Sequence, residues 1–110
     1  MTASFLTVRE RHPRFVIAEP LAPIAPGHAI VFLDDHLDWA ESSPVRLGHL
    51  MERAVRHAQS LPAFNLVASS GISATQTIGH AHIHIIPRGP DDGLQGDWPW
   101  RRGGITDLPT

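Results

Sequence analysis

The chain has 110 residues, a formal net charge of −2 at pH 7 and no cysteine. A chain of this length suits one domain and is too short for two independent cores. The charge balance excludes a generally basic surface, so we expect no long nucleic acid as a partner. The lack of cysteine excludes disulfides and thiolate nucleophiles and fits a cytoplasmic protein. No stretch approaches the roughly 20 apolar residues of a membrane span, so no membrane partner is expected.

Five strand candidates and one helix follow one another along the chain. The strand candidates, which are rich in β-branched and aromatic residues, cover residues 5–8, 14–18, 28–32, 64–68 and 79–88. An amphipathic helix is predicted over 45–60, because apolar residues recur there at spacings of three and four. Ser43 and Pro44, just ahead of it, are typical of a helix N-cap and a first helical position.

The order of these elements predicts the fold class. Strands in succession with one inserted helix indicate an α+β domain, with a mainly antiparallel five-stranded sheet and one main helix. We assign residues 1–110 to a single domain, with its core at about 14–88 and a C-terminal tail at 89–110. A small sheet leaves its edge strands exposed, and pairing with a second copy completes the burial. We therefore expect a homodimer.

Three histidines, His80, His82 and His84, alternate along the last of these strands. The strand period of two places their imidazoles on one face, outside the core, and the intervening apolar residues on the other. Repulsion between charged rings keeps at least one of them neutral near pH 7. A neutral imidazole whose N–H is held by a partner directs its lone pair and can attack phosphorus. A neighbouring imidazole can then protonate the leaving atom.

A polar loop at residues 69–77 leads into the histidine strand. Its hydroxyls, its amide and its backbone N–H groups are suited to phosphate oxygens, although the same composition also suits a plain surface loop. The candidates within it are Ser69, Gly71, Gln76 and Thr77. Pro26 and Gly27 are a turn signal just ahead of His28, which opens a buried strand and needs a polar partner there.

Together these residues resemble the motifs of the histidine triad (HIT) family of nucleotide hydrolases and transferases. The family's His-x-His-x-His followed by two apolar residues is matched at 80–86. The flanking segments that are similar to the family's are Gln76-Thr77-Ile78, Pro87-Arg88 and, on an earlier strand, Pro26-Gly27-His28. The resemblance covers residues from about 15 to 88.

The resemblance implies a HIT-like sheet that dimerises into a continuous one, and a purine nucleotide as substrate. The reaction would take place at the α-phosphate of a dinucleoside polyphosphate or a nucleoside phosphoramidate. His82 would be the nucleophile and would carry the nucleotide covalently on its imidazole. His84 would contact the phosphate and assist the leaving group, whereas His80 would orient the site and His28 would join its hydrogen-bond network.

The substrate-binding positions follow the family's pattern only in part. Gln76 and Thr77 would bind the phosphate or the leaving group. Pro20 stands where the family has an Asp or Asn for the ribose hydroxyls, so the adjacent Glu19 is the candidate substitute. Ser69 stands in place of the family's Asn ahead of the glycine of the phosphate loop. The Cys-x-x-Cys zinc pair of some members is absent, so we expect no metal and no required cofactor.

The residues by themselves leave two other functions open. Two histidines at i and i+2 on a strand can ligate one zinc ion, with His28 or a distant carboxylate completing the set, as in a metal-dependent hydrolase. A non-catalytic nucleotide-binding module would retain the same motif residues. Activity that survives a strong chelator would exclude the first, and a difference in hydrolysis between wild type and His82→Asn would exclude the second.

Overall fold

The chain folds into an antiparallel sheet with a helix against one of its faces. The computed structural model describes residues 6–11, 14–74, 79–94, 99, 101–102 and 105–106. The main elements are β1 Leu6–Arg11, β2 Phe15–Pro20, β3 Ala29–Leu33, α1 Pro44–Ala58, β4 Phe64–Val67 and β5 Ile83–Pro87. A 3-10 turn, Ile72–Ala74, follows β4, and the short strands β6 Arg101–Arg102 and β7 Ile105–Thr106 pair with each other. Within the described ranges, no helix is long and apolar enough to cross a membrane.

The main sheet has the strand order β1-β2-β3-β5-β4, and its neighbouring strands are antiparallel throughout. The prediction of an α+β domain with an antiparallel sheet and one main helix is confirmed. The last strand, β5, lies between β3 and β4, so His84 is paired with Ile30 on one side and with Val67 on the other. This register brings the start of β3 and the end of β4 next to the histidines.

The helix begins as the sequence predicts. Ser43 is the N-cap, its side chain accepts a hydrogen bond from the backbone N–H of Val45 at 3.2 Å, and Pro44 lies in the first turn. The helix ends at Ala58, slightly before the predicted end, because Pro62 cannot continue it and the last turn closes there. The face that packs on the sheet is formed by Leu50, Ala54 and Ala58, all fully buried.

The sheet has an apolar cluster on each face. The larger cluster joins the helix to one face and includes Ile17, Val31, Leu33, Ala81, Ile83 and Ile85. The smaller cluster comprises Val16, Ala18, Ile30 and Phe32. Directly paired residues of neighbouring strands project to the same face. Because His84 is paired with Ile30, its side chain lies on the second face, away from α1.

The strand that carries the histidines is shorter than predicted. β5 begins at Ile83, so His80 and His82 lie in the extended segment that leads into it. Pairing with β3 begins only at Ile83. Before that residue, the N–H of Ala81 donates to the carbonyl of Leu37 at 2.7 Å. The alternation of side chains persists without the ladder, because Ala81 joins the same core cluster as Ile83.

The expectation that the histidine face lies outside the core is wrong. His80, His82 and His84 are only 5, 3 and 6% exposed. The second face carries an apolar cluster of its own, from β2 and β3, and a period-two pattern does not reveal it. The histidines are therefore buried polar groups and need hydrogen-bond partners.

Candidate active site

A hydrogen bond joins two histidines on the sheet face opposite α1. Nε2 of His28 and Nδ1 of His84 lie 2.9 Å apart. The backbone N–H of Ile24 donates to Nδ1 of His28 at 3.2 Å, so that nitrogen carries no proton. A neutral His28 therefore carries its proton on Nε2 and donates it to His84. The other nitrogen of a neutral His84, Nε2, is then an N–H donor.

A tight turn ahead of β3 positions His28. Gly27 has φ +81°, and the N–H of His28 donates to the carbonyl of Ala25 at 3.1 Å. A Cβ built on Gly27 would lie 3.3 Å from Cγ of Pro87. Glycine satisfies both the left-handed backbone and this close approach to the end of β5. The Pro26-Gly27 signal thus has a physical role in delivering His28 to His84.

His82 has the opposite tautomer to His84. Its Nδ1 lies 3.0 Å from the backbone carbonyl oxygen of His80. A carbonyl oxygen only accepts, so Nδ1 of a neutral His82 carries the proton and Nε2 carries the lone pair. The ring centroids of His82 and His84 are 5.2 Å apart, with the rings tilted by 72°. The pair therefore combines a directed lone pair with a neighbouring N–H donor.

Burial keeps these imidazoles neutral at pH 7. Loss of hydration disfavours the charged form, which lowers the pKa of His28 to about 4 and lowers the pKa of both His82 and His84. Two interactions oppose this effect. The negative charge of Glu19 raises the pKa of His28, and the bond to the carbonyl of His80 raises that of His82. The neutral forms are the ones that the tautomer assignment requires.

His80 contributes to the site through its backbone. Its carbonyl orients His82, whereas its own ring packs against Phe32 and His36, with centroid distances of 4.8 and 6.1 Å. Neither ring nitrogen has a hydrogen-bond partner in the described part of the chain. Burial is the largest cause that lowers the pKa of His80 to about 4, followed by the charges of His82 and His36. The ring is a buried neutral group, and its centroid lies 6.5 Å from that of His82 in an edge-to-face arrangement.

The polar loop leaves the sheet beside the histidines. Val67, the last residue of β4, is paired with His84, so Ser69 and Gly71 follow directly from that point. Gly71 has φ +89°, and its carbonyl accepts the N–H of Ala74 at 3.1 Å. Gln76 and Thr77 lie outside the described residues. The structure therefore locates only the first part of the predicted phosphate loop.

Glu19 and Ile24 lie on the chain just ahead of His28. Glu19 is half-buried near the end of β2 and acts on His28 through its charge. Ile24 was not identified from the sequence, because its contribution is a backbone N–H and its apolar side chain carries no signal for it. The proline-rich turn was the only indication that this segment has a defined shape. Its backbone, and not a side chain, sets the tautomers of His28 and His84.

A metal centre needs three or four side chains that converge on one point. Among residues 14–74 and 79–94, no group of three or more His, Asp or Glu side chains is arranged to hold a metal ion. His28 and His84 use facing nitrogens for each other. The arrangement of these histidines is that of a hydrogen-bond network.

We expect the free energy of unfolding to fall as the pH is lowered from about 6.5 to about 4. Unfolded histidines titrate near 6.5, whereas His28 and His80 have a pKa of about 4 in the folded chain. Between these values the unfolded chain binds more protons, so stability rises with pH there. Each group should contribute on the order of 1 kcal/mol between pH 7 and pH 5.

Urea unfolding at the two pH values measures this loss. His80→Phe places a ring that does not titrate next to Phe32 and should reduce the loss, whereas His57→Phe on α1 should leave it unchanged. A loss that is as large in His80→Phe as in wild type would contradict the assignment of His80 as a buried neutral group.

Comparisons with known proteins identify the family. The HIT domain model matches residues 7–91. The chain is 32% identical over 87 residues to the adenylylsulfatase HINT3 of Arabidopsis thaliana, covering 73% of this chain and 44% of that protein. It is 31% identical over 84 residues to the asymmetrical bis(5'-nucleosyl)-tetraphosphatase of Schizosaccharomyces pombe, covering 70% of this chain and 46% of that protein.

Solved structures show the same fold. A Zn-bound histidine triad family protein from Mycobacterium smegmatis superposes with a TM-score of 0.66 at 24% identity, covering 81% of this chain and 70% of that one. A HIT family hydrolase from Legionella pneumophila superposes with a TM-score of 0.67 at 19% identity, covering 83% and 87%. This chain spans about half the length of the curated relatives named above. The match to the HIT domain over most of its length shows that the chain belongs to the histidine triad family.

Proposed function

We propose that this protein is a nucleotide hydrolase or nucleotidyl transferase whose nucleophile is Nε2 of His82. The observation that carries the proposal is the 3.0 Å hydrogen bond between Nδ1 of His82 and the carbonyl of His80. This bond assigns the lone pair to Nε2 and holds the ring in one orientation. An imidazole prepared in this way is suited to attack on phosphorus. The substrate that we propose is a dinucleoside polyphosphate or a nucleoside phosphoramidate, cleaved at the α-phosphate.

The names of the relatives support a nucleotide substrate of this kind. They include an adenylylsulfatase, a bis(5'-nucleosyl)-tetraphosphatase and an adenosine 5'-monophosphoramidase of Schizosaccharomyces pombe. Sulfate, a phosphate chain and an amine are different leaving groups, but a nucleoside phosphate is common to the three substrates. The site would therefore bind the α-phosphate that these substrates share, with any of several leaving groups attached to it.

The reaction that we propose has two steps. The lone pair on Nε2 of His82 forms a P–N bond to the α-phosphorus, and the bond to the leaving atom breaks, with its electron pair passing to that atom. A phosphate leaving group departs as the anion, whereas an amine leaving group takes up a proton from solvent as it departs. The N–H on Nε2 of His84 supports this step as a hydrogen-bond donor to the phosphate or the leaving atom. A water oxygen then attacks the phosphorus, the P–N bond breaks, and the lone pair returns to His82 as the water proton is released to solvent.

His82→Asn should lower the rate of hydrolysis of a dinucleoside polyphosphate by at least about 10³-fold, because it removes the atom that forms the intermediate. His57→Asn, on α1 and away from the site, is the matched control and should retain the wild-type rate. An alkaline quench, which preserves the P–N bond, followed by intact-mass analysis at alkaline pH should find one nucleotide bound to wild type and none bound to His82→Asn. Equal rates in wild type and His82→Asn, or a label on another residue, would refute the mechanism.

The same assay tests whether a cofactor is needed. We propose that none is, so the rate should survive prolonged dialysis against a strong chelator. Loss of the rate with recovery on adding zinc would instead support a metal-dependent hydrolase. Nucleotide binding without hydrolysis in wild type would support a non-catalytic module.

We further propose that Glu19 binds the ribose of the substrate. Pro20 is buried at the end of β2 and offers no side-chain acceptor, whereas Glu19 beside it is half-buried and lies close enough to His28 to raise the pKa of that ring. A carboxylate can accept hydrogen bonds from both ribose hydroxyls. Its position near His28 is compatible with a nucleotide whose phosphate lies at His82.

Glu19→Gln should reduce the preference for a ribonucleotide substrate over its 2'-deoxy analogue, because it weakens a charge-assisted hydrogen bond. Wild type should favour the ribonucleotide by about tenfold in kcat/KM. The variant should favour it by much less, and Glu41→Gln, in the exposed turn before α1, should behave as wild type. An unchanged preference in Glu19→Gln would show that another group recognises the ribose.

We propose, finally, that two copies pair along β4 into a continuous sheet. This strand is hydrogen-bonded to β5 on one side and is an edge of the sheet, and Phe64 on it is 37% exposed. An edge strand with an exposed aromatic side chain is suited to pairing with a second edge. Such a dimer would place the two histidine sites on one extended sheet.

Sedimentation velocity at micromolar concentration should give twice the chain mass for wild type. Phe64→Glu places two like charges at the paired edges and should shift the protein to monomers. Val45→Glu, at an exposed apolar residue of α1, should remain a dimer. A wild-type monomer, or a Phe64→Glu variant that stays dimeric, would contradict pairing along β4.

A further inference from the structure

A cleft lined by basic side chains lies on the opposite side of the sheet from the histidines. It has a volume of about 160 Å³ and is lined by Arg14, Leu33, Arg46, His49, Glu52 and Arg53. Leu33 belongs to the core cluster beneath α1, so the cleft lies on the helix face of the sheet. His84 lies on the other face because it is paired with Ile30. The cleft is therefore separate from the site described above.

Arg46 is already neutralised. Its Nε and Nη2 donate to both carboxylate oxygens of Asp35, at distances of 2.7 to 3.0 Å. These hydrogen bonds are the main cause that lowers the pKa of Asp35. A guanidinium has no lone pair, so Nη1 of Arg46 donates to Nδ1 of His49 at 2.8 Å. A neutral His49 then carries its proton on Nε2 and is a further N–H donor.

Two arginines of the cleft, Arg14 and Arg53, form no ion pair with the carboxylates that the structure describes. Glu52 is bound by Arg56, whose Nε and Nη2 donate to Oε2 at 3.3 and 3.0 Å. Within the described residues neither Arg14 nor Arg53 forms an ion pair. The guanidinium carbon of Arg53 lies 4.7 Å from the ring centroid of Phe15, a contact that holds the side chain without neutralising it. Arg14 and Arg53 thus bring two guanidinium groups to the cleft without a bound carboxylate, while Asp35 and Glu52 lie close enough for their pKa values to be lowered further by these charges.

We propose that this cleft binds a small multivalent oxyanion of the phosphate or pyrophosphate class. Guanidinium groups bind such anions through paired N–H···O contacts, and Arg14 and Arg53 have N–H groups that no carboxylate occupies. A water molecule takes about 30 Å³ of liquid volume, so a cleft of about 160 Å³ has room for several waters or for one phosphate group. The N–H on Nε2 of His49 adds a neutral donor.

Titration with pyrophosphate, followed by NMR of the arginine Nε–H groups of wild type, tests the site directly. The resonances of Arg14 and Arg53 should shift and saturate, whereas that of Arg56, on the same helix but outside the cleft, should not. A parallel titration with sodium chloride at matched ionic strength is the control for screening. Parallel, unsaturated shifts of every arginine in both titrations would overturn the proposal.

Variants separate the cleft from the histidine site. Arg14→Gln with Arg53→Gln should weaken pyrophosphate binding, as followed at His49, at least about tenfold, since the double variant loses two charge-assisted donors. His57→Gln, on α1 but outside the cleft lining, should bind as wild type. Arg14→Gln alone changes only an exposed side chain and gives a second measurement if the double variant does not fold. Wild-type affinity in either cleft variant would overturn the proposal.

Two further probes distinguish the source of the anion. Inorganic phosphate and adenosine monophosphate present the same phosphate chemistry without and with a nucleoside. Shifts at Arg53 with both would indicate a general phosphate site, and shifts with phosphate alone would indicate that the cleft excludes nucleotides. Shifts at Arg53 with neither, nor with pyrophosphate, would overturn the proposal. Nucleotide hydrolysis in Arg14→Gln should stay at the wild-type rate, so failure of this site and failure of the His82 mechanism give different results.

Discussion

The 2.9 Å hydrogen bond between His28 and His84 is the contact on which the candidate site depends. It joins the turn before β3 to the middle of β5, and its direction follows from the Ile24 N–H that occupies the other nitrogen of His28. Because both rings are buried, neither can exchange this partner for water, and both stay neutral. One backbone donor in a loop therefore determines that His84 offers an N–H, whereas the carbonyl of His80 leaves the lone pair of His82 on Nε2. The strand register supports the same arrangement, since pairing of Ile30 with His84 aligns the two elements.

The sheet separates two polar regions that differ in burial and in charge. On the histidine face, burial suppresses charge and the chemistry rests on neutral imidazoles with defined tautomers. On the helix face, the cleft at Arg14 and Arg53 retains formal charge because it is open to solvent and because the neighbouring carboxylates are bound by other arginines. Apolar residues of β2, β3 and β5 fill the space between them. This separation is what allows the two sites to be tested independently.

Local patterns in the sequence predicted most of the framework. Two of these patterns involve only residues close together in the chain: the start of α1 at Ser43-Pro44, and the alternation of apolar and histidine side chains over 80–86. The structure confirms both. The start of β5 was predicted too early, because the segment before Ile83 pairs with Leu37 in a distant loop instead of with β3. The burial of the histidine face was missed for a related reason: a period of two distinguishes two faces but does not show what covers each of them.

The sequence by itself determined the residue types of the candidate site, the motif that resembles the histidine triad family, and the elements that carry it. The tertiary structure decided which nitrogen of each histidine carries a proton, because that depends on Ile24, on the carbonyl of His80 and on the pairing of β3 with β5. It also decided that the ring of His80 packs against Phe32 and His36, and that Arg14 lies beside α1 at a cleft. Residues far apart in the chain carry no mutual signal in one sequence, so these contacts exist only once the sheet and helix have packed.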